Sequence, residues 1–263
     1  MSEERKKYLK TKRNEKIFVL GSQILLLVAF LGLWEILANK GIIDSFITSS
    51  PSRIFNTFAN FSSNNLLEHI RVTVFETLVG FGIGIFLGIA IAIIMWWSKI
   101  ICKIFDPYLV VLNSLPKVAL GPIIIIWVGA GTGAIIVMAV AISLIVTVLD
   151  ILNGFLNTDK DLIKMANSFN ASKFQILTKI IIPANASTFI NSLKINIGLS
   201  LVGVISGEFL ISKAGLGYLI TYGGQVFKLD LVMSSIIILG IFAGLMYLSV
   251  MLLEKIILKQ RKG

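Results

Sequence analysis

The chain has 263 residues, of which 56% are hydrophobic and 14% charged, and it carries a net charge of +10. Soluble chains carry about 25% charged residues, and a domain of this size cannot bury so much apolar side chain. A soluble domain is therefore excluded, as are a disordered chain, by the same apolar excess, and a disulfide scaffold, since Cys102 is the sole cysteine. What remains is an all-α polytopic membrane protein.

A helix crossing roughly 30 Å of hydrocarbon needs about 20 apolar residues. In chain order, a basic segment (1–16) precedes a first span, Ile17–Ala38. Its apolar run is long for a signal peptide and no small-residue cleavage site follows, so it reads as an uncleaved anchor. A loop from Asn39 to His69 is amphipathic and predicts a short helix along the outer surface. The second span is Val72–Trp97, with Gly80, Gly84 and Gly88 forming a smooth stripe. In lipid such a stripe lets another helix approach closely; packing within the chain is favoured over a dimer interface. The third span, about Ile104 to Val128, contains Pro107, Pro116, Pro122 and Lys117. Proline breaks a regular helix, so this is a broken span or a lead-in helix followed by a span. Gly133–Leu152, about Ala184–Ile211 and Leu231–Leu253 complete the set of about six transmembrane helices.

The basic residues orient these spans. Seventeen Lys and Arg fall on the side that holds both termini, five on the other and two within spans. The excess belongs in the cytoplasm, which places both termini there, in a multi-pass protein of the plasma (inner) membrane. The charge sorts onto short segments between apolar runs rather than onto one patch with interleaved aromatics, so nucleic acid is not an expected partner; membrane lipid is. The organisation is a basic N-terminal segment 1–16, a first helix and outer loop 17–71, a core 72–255 and a basic tail 256–263.

The longest segment on the basic side, 153–183, is too polar to cross the bilayer. Asn157–Asp161 is a helix start, with acidic residues near the positive end of the dipole. Leu162, Met165, Ala166 and Phe169 form one apolar face. Asn170 suits a left-handed turn, and Ser172 can cap a second helix, Lys173–Ile181, that ends before Pro183. Two short helices with a tight turn, lying beside the membrane, predict a docking element for another protein.

This segment resembles the EAA loop of permease subunits from binding-protein-dependent ABC importers: Glu-Ala-Ala, three residues, Gly, nine residues, Ile, any residue, Leu-Pro. The matching positions are Lys164, Met165, Ala166, Asn170, Ile180, Ile182 and Pro183. The run Asn170, Ala171, Ser172, Lys173, Phe174, Gln175 is similar to the family's Gly-Ala-Ser and Gln. Lys164 departs from the acidic residue, reversing a charge that in relatives helps engage the ATPase, and Asn170 departs from the glycine while still suiting a left-handed turn. Leu112–Ala134 and Gly207–Ile220 resemble the sulfonate, taurine and nitrate branch, in which Lys194 stands where Arg is usual. The resemblance implies a type I ABC importer permease fold and a homodimer as the pathway, since that branch usually has a single permease. It implies an extracellular solute-binding protein, and separate ABC ATPase subunits that bind ATP and dock on the loop. The substrates it implies are small anions or vitamin precursors. This chain has no P-loop and no cofactor of its own is expected. His69 has no acidic or thiol cluster for a metal, and Ser143, Ser200 and Ser206 have no His partner for nucleophilic catalysis.

Charges within spans cost roughly 2.5–3.5 kcal/mol at the bilayer centre. Lys194 is expected near mid-depth and Glu208 and Glu76 towards the outside. Lys117 and Asp150 are expected nearer the cytoplasm. Lys194 and Glu208 either line the translocation path or pair with other helices; for Lys194 a structural pair with Asp150 or Asp106 is favoured. The rival function is a secondary transporter or channel driven by an ion gradient, which predicts broken helices and paired acids.

Overall fold

The computed structural model describes residues 3–59 and 65–259. Arg261 and Lys262, counted above in the basic tail, lie outside the described residues. Among the described residues, five helices are long and apolar enough to cross a membrane, and a bent pair makes a sixth when counted as one span.

The described residues fall into two compact units. The first combines residues 3–59 with 223–234. Helix α1, Glu3–Asn39, is one continuous helix that runs through the basic segment as well as the first span. The loop after α1, expected to hold one short helix, holds two: α2, Ser45–Thr48, capped by the Asp44 carboxylate, and α3, Pro51–Ala59, with proline in its first turn. Arg53 ties them down. Its Nη2 and Nε donate to Asp230 Oδ2 at 2.8 and 3.1 Å, its Nη1 donates to the Ser45 carbonyl, and the Ser49 hydroxyl donates to Asp230 Oδ1. Glu35 of α1 accepts from the backbone and hydroxyl of Ser52.

The second unit, 65–222 with 235–259, is built around three helices: α4, Leu66–Trp97; α7, Thr132–Leu156; and α11, Ala186–Ile211. Between α4 and α7 lie α5, Lys99–Ser114, a 3-10 turn at Lys117–Leu120, and α6, Gly121–Val128. The third span is thus broken, with a bend of 91° where Pro116 removes a backbone donor. Gly129 and Gly131, both at positive φ, then turn the chain into α7. Beyond α11 follow α12, Leu216–Gln225, and α13, Leu229–Lys259.

Glycine sets the spacing of the three central helices. A Cβ on Gly80 would lie 2.7 Å from the Ala139 Cβ, and one on Gly88 would lie 2.5 Å from the Thr147 Cβ. Gly84 faces Ser143 in the same way. Both series rise by four residues per step, so α4 and α7 run parallel. On the other side of α7, Gly203 and Gly207 of α11 face Ala139 and Ile135. That series runs in opposite directions, so α11 is antiparallel to α7. Ala139 is pinched between two glycines, and it is fully buried. Close backbone contact replaces the hydrophobic driving force that lipid does not supply. On the outer face of α11, Ile190, Ile197 and Leu201 pack against Met246 and Val250 of α13.

Candidate coupling segment and intramembrane sites

Residues 157–185 lie at the C-terminal end of α4. Helix α8, Lys160–Ser168, starts where the Asp159 carboxylate accepts from the Asp161 N–H at 2.8 Å. It ends at Phe169 and Asn170, and Asn170 has φ 52°, the left-handed turn its residue type favours. Ser172 then caps α9, Lys173–Ile176, reciprocally: the Gln175 N–H donates to Ser172 Oγ, and the Ser172 N–H donates to Gln175 Oε1 at 2.8 Å.

The end of this second helix corrects the sequence expectation. The helical path does not stop before Pro183. It widens into a π-helical turn at Leu177–Ile181 and continues through α10, Ile182–Ala184. A proline ring collides with the carbonyl four residues back and offers it no N–H; a widened turn is the form in which a helix absorbs such a defect. Ile180 lies inside that turn, three residues before Pro183.

The expected apolar face is divided. Ala166 is buried among Ala92, Met95, Ile151, Leu152, Phe155, Ile176 and Ile181, and Ile163 and Ala171 pack against that cluster. Leu162, Met165 and Phe169 instead stand 40%, 52% and 80% exposed, and spacings of three and four put them on one side of α8. Lys164 is exposed and pairs with Asp161 at 3.0 Å, an ion pair of little stabilising value in water.

Two residues that the sequence pattern did not single out, Asn185 and Gly154, hold the segment in place together with Lys173. Asn185 Nδ2 donates to Thr158 Oγ1 at 2.8 Å and to the Ile181 carbonyl at 2.9 Å, closing the two ends of the segment on each other. Gly154 makes room, since a Cβ there would lie 2.7 Å from Asn185 Oδ1. Lys173 Nζ donates to the carbonyl of Trp97 and sits over its ring, tying the segment to the end of α4. A polar Asn following Pro-Ala was the one available signal.

The charged residues in the spans resolve differently. Lys194 pairs with neither Asp150 nor Asp106. Its Nζ donates to Glu254 Oε2 of α13 at 2.7 Å, under the Tyr247 ring. Lys194 lies only eight residues into α11, roughly 12 Å along its axis, level with the last turns of α13. Asp150 has a buried Oδ2 without a hydrogen-bond partner among the described residues. Lys117 sits in the break after α5, where its Nζ donates to the carbonyl and side-chain oxygens of Asn113.

Glu208 lies at the other end of the bundle and is 1% exposed. Oε1 accepts from the Thr73 hydroxyl at 2.6 Å, and Oε2 accepts from the Gly217 N–H. The Leu216 N–H donates back to Thr73 Oγ1 at 2.7 Å. Gly215, at φ 118°, passes directly over the carboxylate, where any Cβ would collide with it. The Gly-Leu-Gly after the acid is thus the strap that this carboxylate locks down. His69 joins it, accepting from the Gly215 N–H at 2.9 Å and stacking on Tyr218. Thr73 and Trp97 are 24 residues apart on α4, roughly 36 Å, so this lock and the 157–185 segment stand a full hydrocarbon thickness apart.

Residues 84–262 match the family described as binding-protein-dependent transport system inner membrane component. The chain belongs to that family. Among curated relatives, this permease is 28% identical over 228 residues to an ABC transporter permease protein of Haemophilus influenzae, covering 86% of this chain and 92% of the relative. It is 26% identical over 241 residues to an aliphatic sulfonates transport permease protein of Bacillus subtilis, covering 91% and 87%. Among solved structures, a chain of the inward-facing MetNI methionine ABC transporter superposes with a TM-score of 0.62 at 18% identity, covering 72% of the permease and 96% of that chain. The fold is that of a type I importer permease, and the protein is a multi-pass membrane transport component.

Proposed function

We propose that two copies of this permease form the translocation pathway of an ATP-driven importer. An extracellular solute-binding protein delivers a small solute, and separate ABC ATPase subunits dock on residues 157–185. The observation that carries this reading is the exposed side of α8. Leu162, Met165 and Phe169 project from a segment whose ends are closed on each other and whose middle is clasped to the end of α4, in a chain of the binding-protein-dependent family. A clasped segment moves as one body with α4 and α11, so a docked ATPase pulls on the spans themselves. ATP chemistry belongs to those partners, because this chain has no P-loop. The docking side then faces the cytoplasm together with both termini, in agreement with the basic residues. A sulfonate permease among the relatives supports a small organic anion such as a sulfonate, taurine or nitrate as the solute; a vitamin precursor is the other class.

A gradient-driven transporter has two observations in its favour, the broken third span and Glu76 beside Glu208. Yet Glu208 is bonded into the strap on both oxygens, and that reading leaves the clasped segment idle. Uptake into vesicles decides between them. Uptake should require the ATPase and ATP and should vanish on removing the ATPase. Uptake that persists without the ATPase refutes the importer.

A further inference from the structure

Helix α12 follows Gly215, a residue with no side chain to cap it. The Leu219 N–H donates to the Gly215 carbonyl at 3.1 Å, which leaves the N–H groups of residues 215–218 without partners inside the helix. Side chains of α4 and α11 supply partners for three of them in succession. The Gly215 N–H donates to His69 Nδ1 at 2.9 Å, the Leu216 N–H to Thr73 Oγ1 at 2.7 Å, and the Gly217 N–H to Glu208 Oε2. These acceptors differ in what acid does to them. A threonine hydroxyl does not ionise, and Glu208 is 1% exposed and accepts on both oxygens. His69 is only partly buried, so protons reach its ring, which stacks on Tyr218. To accept at Nδ1 it must be the neutral tautomer that carries its proton on Nε2.

We propose that His69 is an acid-sensitive latch, which holds residues 212–217 and the start of α12 against α4 when neutral and releases Gly215 on taking a proton at Nδ1. Imidazolium has two donors and no acceptor. A proton at Nδ1 therefore sets one N–H against another and leaves the Gly215 N–H without its partner. The new charge also sits at the N-terminal end of α12, where the helix dipole is itself positive. Both effects drive ring and strap apart. Around the ring, α4 contributes Glu68, an exposed acid whose charge acts on it. From α12, Tyr218 lies on its face, and from α11, Glu208 stays bound to Thr73 and Gly217. Lys213, exposed, is the one charge within the strap. Release is thus confined to the Gly215 end, with Leu216 and Gly217 as the pivot. The latch is closed at neutral pH and opens as the pH falls through the range where an imidazole ordinarily takes its proton, about 6.5. It rests on this geometry and not on the importer reading.

The test uses the full-length chain, purified on a tag without histidine, in lipid nanodiscs without ATPase. Hydrogen exchange of peptides spanning residues 213–219 is read as protection factors, which removes the pH dependence of the chemical step. Protection should fall about tenfold between about pH 7.5 and about pH 5. In His69→Asn, whose Oδ1 takes the place of Nδ1 and does not titrate, it should stay high at both ends of that range. In His69→Phe it should be low at both. His69 is the sole histidine, so labelled histidine gives a single imidazole signal in NMR, and its midpoint should coincide with the midpoint of lost protection. Protection that is independent of pH in the unaltered chain overturns the proposal. So does the same loss in His69→Asn, which would assign the titration to another group, or an imidazole midpoint that differs from that of the exchange. The midpoints decide the matter even where the asparagine falls short of the amide.

Discussion

Ala139 is the tightest point of the bundle, and the two glycines that grip it make different predictions. A methyl group added at Gly80 would meet the Ala139 Cβ at 2.7 Å, whereas one at Gly203 would meet the Ala139 Cα at 2.5 Å and its backbone nitrogen at 2.9 Å. Carbon atoms rest at about 3.5–4.0 Å, so either methyl must push a pair of helices apart by roughly 1 Å. Overpacking of that kind costs about 1–3 kcal/mol, offset by up to about 1 kcal/mol of helix propensity. Gly80→Ala and Gly203→Ala should both unfold more readily in mixed detergent than Gly198→Ala, on whose added methyl nothing encroaches within 4 Å. The decisive step is Ala139→Gly. It deletes the atom that clashes at position 80 but leaves the backbone that clashes at position 203. In double-mutant cycles the 80/139 pair should therefore show favourable coupling of about 1–3 kcal/mol, and the 203/139 pair coupling near zero. Equal coupling in the two cycles, or no loss in either single variant, would refute packing of α7 between the two glycine rows.

Asn170→Gly should keep ATP-coupled uptake, whereas Asn170→Val should lower it strongly, because a branched residue at φ 52° costs about 1–2 kcal/mol in backbone strain; equal uptake by both variants removes the argument. Thr73→Val strips the hydroxyl that serves both Glu208 and the Leu216 N–H and should destabilise the chain by about 2–4 kcal/mol, with Thr73→Ser near the unaltered value in thermal unfolding. Lys194→Met should cost more stability alone than together with Glu254→Leu, since the single change strands a partly buried carboxylate; additive losses would show that the pair does not act as a unit. Lys164→Glu should weaken ATPase docking in a low-salt pull-down, where exposed charges act most strongly, because the ATPase face is expected to be matched to lysine.

The membrane class, the helical fold and the family were legible because each rests on a local or periodic property. Apolar length marks a span wherever it occurs, and a capping residue acts within three positions, as at Asp159 and Ser172. Asn170 could be recognised as a turn for the same reason. The π-turn before Pro183 was not legible: proline forbids one hydrogen bond, but whether a helix stops or widens there depends on what anchors its far end. Here Asn185 fixes that end against Thr158, and the chain has to continue into α11.

The partners of the buried charges depend on two quantities that composition does not carry, the depth of each residue and the rotation of its helix. Counting from a predicted span start set Lys194 near mid-membrane, level with other acids. In the structure α11 begins at Ala186 and α13 extends to Lys259, and those few residues of helix bring Glu254 into register. Glu76 shows the rotational counterpart. It lies four residues before Gly80, hence about one turn along the same stripe, so the glycines that draw α4 against α7 also turn Glu76 inward. A glycine stripe that continues into an acid therefore carries that acid into the bundle, where Glu76 comes to lie beside Thr132 and Glu208.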